Sequence, residues 1–186
     1  GTHTVGQVAI RYFATPNTSI YTNVGTAFKA PVVGQLITAP SWWGGNPNLK
    51  PEESVSYEVG LDQKITDNLS MGLSAYRNEV DDLITYVTDP VTYEGRLYNV
   101  KKATFTGGEF NLDWTSDELY SNLSYAYVQP KDKESDKDLP RRSRQSLTLT
   151  TGIQNEVYGI SASLVAKSDS VAWNTVDSTP GYATVD

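Results

Sequence analysis

The run Leu69-Ser70-Met71-Gly72-Leu73-Ser74-Ala75-Tyr76-Arg77-Asn78 decides what kind of structure this chain forms. Leu69, Met71, Leu73 and Ala75 fall on one side of a period-two pattern, and Ser70, Gly72, Ser74, Tyr76 and Asn78 on the other, which describes a two-faced β-strand. The same split recurs outward in both directions. Val55, Tyr57, Val59 and Leu61 oppose Ser56, Glu58, Gly60 and Asp62. Further along, Phe110, Leu112 and Trp114 oppose Glu109, Asn111 and Asp113, and Leu147, Leu149, Thr151 and Ile153 oppose Thr148, Thr150, Gly152 and Gln154. Ile160, Ala162 and Leu164 alternate with Ser161 and Ser163. The pattern predicts strands over 4–15, 20–31, 55–65, 69–87, 97–114, 119–129, 141–154 and 157–168, with another beginning near 181. Their connections alternate as well. Turn-forming residues make tight links at 16–19, 66–68, 115–118 and 155–156, and long loops fall at 32–54, 88–96, 130–140 and 169–180.

The fold class is therefore all-β, an antiparallel meander of about eight strands. Its two faces carry an unusual distribution. A soluble sandwich fills its inner face with large apolar residues and charges its outer one. Here the large apolar residues share one face, and the other carries Ser, Thr, Gly and Asn with occasional carboxylates. That inversion, with short turns at one end and long loops at the other, predicts strands of a larger transmembrane barrel with a wet or plugged lumen. The alternative is a self-contained soluble β-rich module that binds glycans or a partner.

Composition agrees with the strand reading and excludes several functions. Of the 186 residues, 38% are hydrophobic and 12 are Tyr, and mean hydropathy is −0.42. That is a thin supply for a conventional core and a rich one for pleated surfaces. Fifteen Lys and Arg against 22 Asp and Glu give a net charge of −7, which repels phosphate backbones, so no nucleic-acid partner is expected. The absence of Cys rules out disulfides and thiolate metal sites. No apolar run reaches the roughly 18 residues of a spanning helix, so any membrane crossing uses strands.

The stretch Gly25-Thr26-Ala27-Phe28-Lys29-Ala30-Pro31 runs through Gly34-Gln35-Leu36 to Gly45-Asn46-Pro47-Asn48-Leu49-Lys50-Pro51-Glu52-Glu53-Ser54, then enters Tyr57-Glu58-Val59-Gly60-Leu61. It resembles the barrel signature of TonB-dependent receptors. Further similarities keep that family's order: Tyr76 to Ile84, Tyr98-Asn99-Val100, Gly107-Gly108-Glu109, Leu139-Pro140-Arg141-Arg142 and the closing Pro180 to Asp186. The wording of Gly34-Gln35-Leu36 and of Arg77 to Ile84 is closest to the family's cobalamin receptors and recurs among siderophore and haem receptors. The resemblance covers nearly all of 1–186 as one partial barrel domain, about the third quarter and the start of the fourth, with plug and final strands outside it. It implies an outer-membrane receptor that imports a scarce nutrient, a cobalamin or a metal chelate such as a ferric siderophore or haem. It also implies TonB as a partner through an N-terminal region outside this stretch, and contact with outer-membrane lipid. Pro31, Pro47 and Pro51 are expected to serve structure where the chain leaves the sheet, and Glu52 and Glu53 to bond loop amides.

Nothing in the residues calls for an enzyme or a cofactor. His3 is the only histidine and lies near the N-terminus. Asp81-Asp82 and Glu52-Glu53 are adjacent in strands, where alternation aims them at opposite faces and disfavours a shared acid/base site. The acidic residues among the lysines of 131–138 lack the glycine and ligand spacing of a calcium cage and read as a solvated loop. Ligand recognition is the better use of this sequence. Trp42, Trp43, Tyr93, Arg96, Tyr98 and Trp173 lie in or beside the long loops. Rigid aromatics offer contact area at low entropic cost, and Arg offers charge-assisted bonds to carboxylate or phosphate groups.

Overall fold

A computed structural model describes residues 3–37, 43–88, 91, 94–172 and 177–186. Its strands are β1 (Gln7–Thr15), β2 (Thr18–Lys29), β3 (Trp43–Gly44), β4 (Glu52–Thr66), β5 (Leu69–Thr88), β6 (Gly95–Thr115), β7 (Leu119–Asp132), β8 (Gln145–Gln154), β9 (Gly159–Lys167), β10 (Ser170–Val171), β11 (Ser178–Thr179) and β12 (Tyr182–Val185), with one short helix, α1 (Val33–Leu36). The main sheet runs β1-β2-β4-β5-β6-β7-β8-β9-β12, each strand antiparallel to the next. This is the expected meander. Two additions lie in the long connections: β3 pairs parallel with β6, and β10 with β11 forms a separate two-stranded ribbon.

Register carries the face pattern across the whole sheet, because residues directly opposite in an antiparallel pair share a face. One row reads Tyr12, Ile20, Leu61, Leu73, Phe110, Tyr125, Leu147, Ala166, Ala183. The row beside it on the opposite face reads Arg11, Tyr21, Gly60, Ser74, Glu109, Ala126, Ser146, Lys167. The apolar face is uncovered even at mid-sheet, where Val59 is 52% and Leu73 51% exposed. Such a run of exposed large apolar side chains along one face is unusual beside water.

On the polar face, aromatic rings lie flat across glycines. A Cβ at Gly60 would fall 2.2 Å from Tyr21 Cζ, and one at Gly107 would fall 2.3 Å from the Tyr127 carbonyl oxygen and 2.8 Å from Tyr76. Glycine is required here for close approach, and the ring restores the contact area that glycine lacks. Arg11 pairs with Asp62, donates to Ser19 Oγ at 2.7 Å, and lies over the Tyr21 ring at 4.9 Å.

The short links close with local bonds. Thr15 Oγ1 accepts from the Asn17 amide, Thr66 Oγ1 from the Asn68 amide, and Asn155 Oδ1 from the amides of Val157 and Tyr158. Asn68 Nδ2 donates to the Thr115 carbonyl at 2.8 Å, joining two neighbouring turns. Side chains thus supply acceptors where the ladder ends.

At the other end the chain departs from strict alternation. The compact core, among the described residues, consists of Leu83, Ala103 and Leu139 with Val80, Val100 and Phe105 against them. Val80 and Leu83 are an odd number of residues apart and still meet the same cluster. Asp82, at φ 54°, absorbs the difference. The premise that Asp81 and Asp82 simply face opposite ways therefore fails at this kink. The expected loop 32–54 is also shorter than read, because 52–54 belong to β4, and it contains α1 and β3. The strand expected from 141 begins at Gln145 instead: Arg141 adopts φ 59° and its amide donates to the Val171 carbonyl, so the chain is turning there.

Candidate ligand-binding site

The long connection between β2 and β4 is built by accounting for its backbone donors. In α1, Gln35 folds back so that its Oε1 accepts from the Val32 amide at 3.0 Å. Gly45 then passes so close beneath this turn that a Cβ would lie 2.1 Å from the Ile37 carbonyl oxygen, which only glycine permits. The Asn46 amide donates to the Gln35 carbonyl, the Asn48 amide to Asn46 Oδ1, the Leu49 amide to the Asn46 carbonyl and the Lys50 amide to Asn99 Oδ1. Pro47 and Pro51 have no amide hydrogen to satisfy. Every backbone donor from 46 to 51 is paired, as a folded segment away from a sheet requires.

That segment is stitched to β6. Asn46 Nδ2 donates to the Leu97 carbonyl at 3.0 Å, and Asn99 Nδ2 donates to the carbonyls of Lys50 at 3.0 Å and Asp82 at 2.6 Å. Trp43 lies opposite Gly95 and Gly44 opposite Arg96 in the parallel β3–β6 pair. Glu52 anchors the return into the sheet. It is 9% exposed, accepts from Lys29 Nζ at 3.2 and 3.3 Å, and accepts from the Ile84 amide at 3.0 Å. One carboxylate thereby joins β2, β4 and β5. The expectation that Glu52 bonds a loop amide is corrected to a strand amide, and Glu53 instead meets His3 Nδ1 at 2.9 Å.

Of the sequence-selected ligand residues, Trp42, Tyr93 and Trp173 lie outside the described residues, and Trp43 is described through its backbone. The structure places that backbone beside the strand carrying Arg96 and Tyr98. Arg96 lays its stem across Gly44, whose Cβ would be 3.5 Å from Arg96 Cγ, and its Nη2 lies 3.8 Å from Glu94 Oε2. Tyr98, two residues on, is 47% exposed. A half-exposed guanidinium and phenol thus stand two positions apart on one strand, braced by a glycine-rich segment with no side chain at Gly44 to crowd them. Asn46 and Asn99 enter the sequence reading only as members of the family signature, not as site residues. Their signal was chemical: Asn carries a donor and an acceptor and can stand in for a backbone pair.

The long connection between β7 and β8 carries a self-paired hairpin. Asp132 accepts from the Glu134 amide and Ser135 hydroxyl, and Lys131 contacts Asp136 and Asp138. Arg144 Nε donates to Asp138 Oδ2 at 2.6 Å and holds that carboxyl below the usual carboxylate range. Among the described residues, no group of three or more His, Cys, Asp or Glu could hold a metal ion. Arg142 rests over the Phe105 ring at 5.6 Å. His3 stacks on Phe28 at 4.0 Å, with Glu53 as its polar partner.

A nine-strand antiparallel meander with an uncovered apolar face and looped ledges at one end defines a segment of a β-barrel wall. The family description "TonB dependent receptor-like, beta-barrel" matches residues 1–186, and the chain belongs to that family. It is 34% identical over 173 residues to the "Vitamin B12 transporter BtuB" of Photobacterium profundum, covering 91% of this chain and 28% of the relative. It is 32% identical over 140 residues to the protein of that name in Vibrio vulnificus, covering 75% and 22%. The chain therefore spans under a third of these relatives. Among solved structures, the copper transporter OprC superposes with a TM-score of 0.75 at 17% identity, over 97% of this chain and 30% of that one. The siderophore receptor PirA from Acinetobacter baumannii gives 0.73 at 17%, over 97% and 33%. At these identities the structural likeness concerns the fold. Among the described residues, no helix is long and apolar enough to cross a membrane.

Proposed function

We propose that this chain forms part of the wall and mouth of an outer-membrane, TonB-dependent active-transport receptor for a scarce nutrient, and that the nutrient is a cobalamin, with an iron chelate as the second choice. The observation that carries the reading is the ledge on β6, where the segment from Trp43 to Lys50 is stitched beside Arg96 and Tyr98. It provides stiff aromatic and cationic contacts at the end from which the long loops project. The apolar face meets outer-membrane lipid, and the polar face turns to the lumen. Identity to transporters named for vitamin B12 supports the ligand class. TonB engages the receptor outside this stretch, and no bond is made or broken by this segment's residues.

The rival is a soluble module that binds glycans or a protein. It leaves Val59, Leu73 and the rest of their face toward water, which is unfavourable for many exposed apolar side chains. The test uses the full-length receptor in lipid, with cyanocobalamin and a panel of ferric siderophores as probes. Replacing Trp42 and Trp43 together by Ala is expected to weaken the best-bound probe roughly thirtyfold, about 2 kcal/mol, while assembly proceeds. Binding to none of the probes by the wild type would overturn the ligand reading. Unchanged affinity in the variant would remove the tryptophans from the site.

A further inference from the structure

We propose that Asn99 is a positioning residue: it clamps the 44–50 segment to β6 and thereby presents Arg96 and Tyr98 as a preformed ledge. The inference rests on the ligand reading above for its consequence, and on geometry alone for the clamp itself.

The geometry is specific. Asn99 uses three bonds, accepting from the Lys50 amide at 2.9 Å and donating to the carbonyls of Lys50 at 3.0 Å and Asp82 at 2.6 Å. The Lys50 pair is a bidentate match in which the Asn99 side-chain amide stands in for a backbone partner of Lys50, at a level where β7 does not pair with β6. β7 accompanies β6 only from Ala103 toward Thr115. From 95 to 99 that edge is instead covered by Gly44, Asn46 and Lys50. The third bond takes the carbonyl of Asp82, the residue at φ 54° where the face pattern shifts. Asn99 therefore ties together the loop, the β5 kink and the ledge strand. Aspartate would keep the acceptor and lose both donors, and alanine would lose all three. An open edge carrying two candidate contact residues would otherwise have to be ordered at each binding event, a cost that preorganisation removes.

The experiment has two arms in the full-length receptor. The first follows amide hydrogen exchange without ligand. In Asn99→Ala, exchange at Lys50 and Arg96 should rise about tenfold or more, and Asn99→Asp should fall between it and wild type. Amides of the β4–β5 pairs around Val59 should not change. The second arm measures cyanocobalamin and ferric-siderophore affinity. Asn99→Ala should weaken the bound probe about tenfold, and the same change made on an Arg96→Ala background should have little further effect, because the clamp acts through the ledge. Unaltered exchange at Lys50 and Arg96 would overturn the clamp. Raised exchange with undiminished affinity, or fully additive losses with Arg96→Ala, would overturn the positioning role. A wild type that binds no probe would sink the ligand reading while the exchange arm still decides the clamp. Should Asn99→Ala fail to assemble, Asn99→Asp, which keeps the acceptor for the Lys50 amide and loses both donors, carries both arms, and wild-type exchange at Lys50 in it would overturn the clamp.

Discussion

Replacing Glu52 separates two contributions that one carboxylate makes. Its side chain is 11% exposed, whereas that of Lys29 is 61% exposed, so the ion pair is screened by water on the lysine side and contributes below about 1 kcal/mol. The bond from the Ile84 amide is different. Its donor lies within β5, and losing its acceptor costs about 1–3 kcal/mol. Glu52→Ala removes both and should destabilise the loop end of β4 and β5 by about 2–3 kcal/mol. Glu52→Gln retains an oxygen for the Ile84 amide and should cost about 0.5–1 kcal/mol. Exchange at the Ile84 amide in the full-length receptor reads this directly. Its opening should accelerate roughly thirtyfold or more in Glu52→Ala and about fivefold or less in Glu52→Gln. Lys29→Gln should resemble the milder variant. Equal losses in Glu52→Ala and Glu52→Gln would refute the reasoning, since charge and not amide satisfaction would then be the dominant contribution.

Gly107→Ala should cost about 2 kcal/mol, because its Cβ meets the Tyr127 backbone, and Gly60→Ala less, because the Tyr21 ring can swing aside; denaturant unfolding in lipid vesicles would show the order, and a reversed order would be fatal to the packing argument. Leu73→Arg on the apolar face should cost about 2–4 kcal/mol in a bilayer if the row lies near its midplane, and unchanged stability there would mean the face does not meet hydrocarbon. Asp138 is held below its ordinary pKa chiefly by its bond to Arg144. A depressed carboxyl stabilises the folded form fully above its unfolded value, near about 4, and loses that contribution as pH falls through the lower folded value. Exchange of the Asp132 amide in the 131–138 hairpin should therefore be flat from neutral pH to about 5, after correction for intrinsic chemistry, and accelerate below about 4. Arg144→Ala should make exchange faster already at neutral pH and flatten its dependence on pH, because the difference between the folded and unfolded values shrinks.

Much of this architecture was legible in residue order because a strand's side-chain period is local. Leu69 to Asn78 could be assigned two faces without knowing any partner, and the register then placed Leu73 opposite Leu61 and Phe110 as the alternation required. Turn chemistry was equally local, as Asn17, Asn68 and Asn155 show by closing the links they punctuate. The motif around Gly45 to Glu53 identified the family for a similar reason, since prolines and glycines at fixed spacing leave the backbone few alternatives.

The site was only partly legible. Arg96 and Tyr98 could be chosen as candidate contacts from residue type, but their support depends on Gly44, Asn46 and Lys50, which lie about 50 positions earlier and reach β6 through backbone pairing at Gly44 and the side-chain amides of Asn46 and Asn99. No periodicity encodes a bond from Asn99 to Lys50, or a carboxylate at Glu52 that satisfies an amide at Ile84. Likewise, the shift of face at Asp82 reflects a single backbone torsion stabilised from outside its strand. Residue order by itself determined the strands, their two faces and the family, because those follow from repulsion, reach and hydration within a few residues. Tertiary structure alone decided which loop lies against which strand edge, because that depends on distant polar groups finding partners that water would otherwise supply.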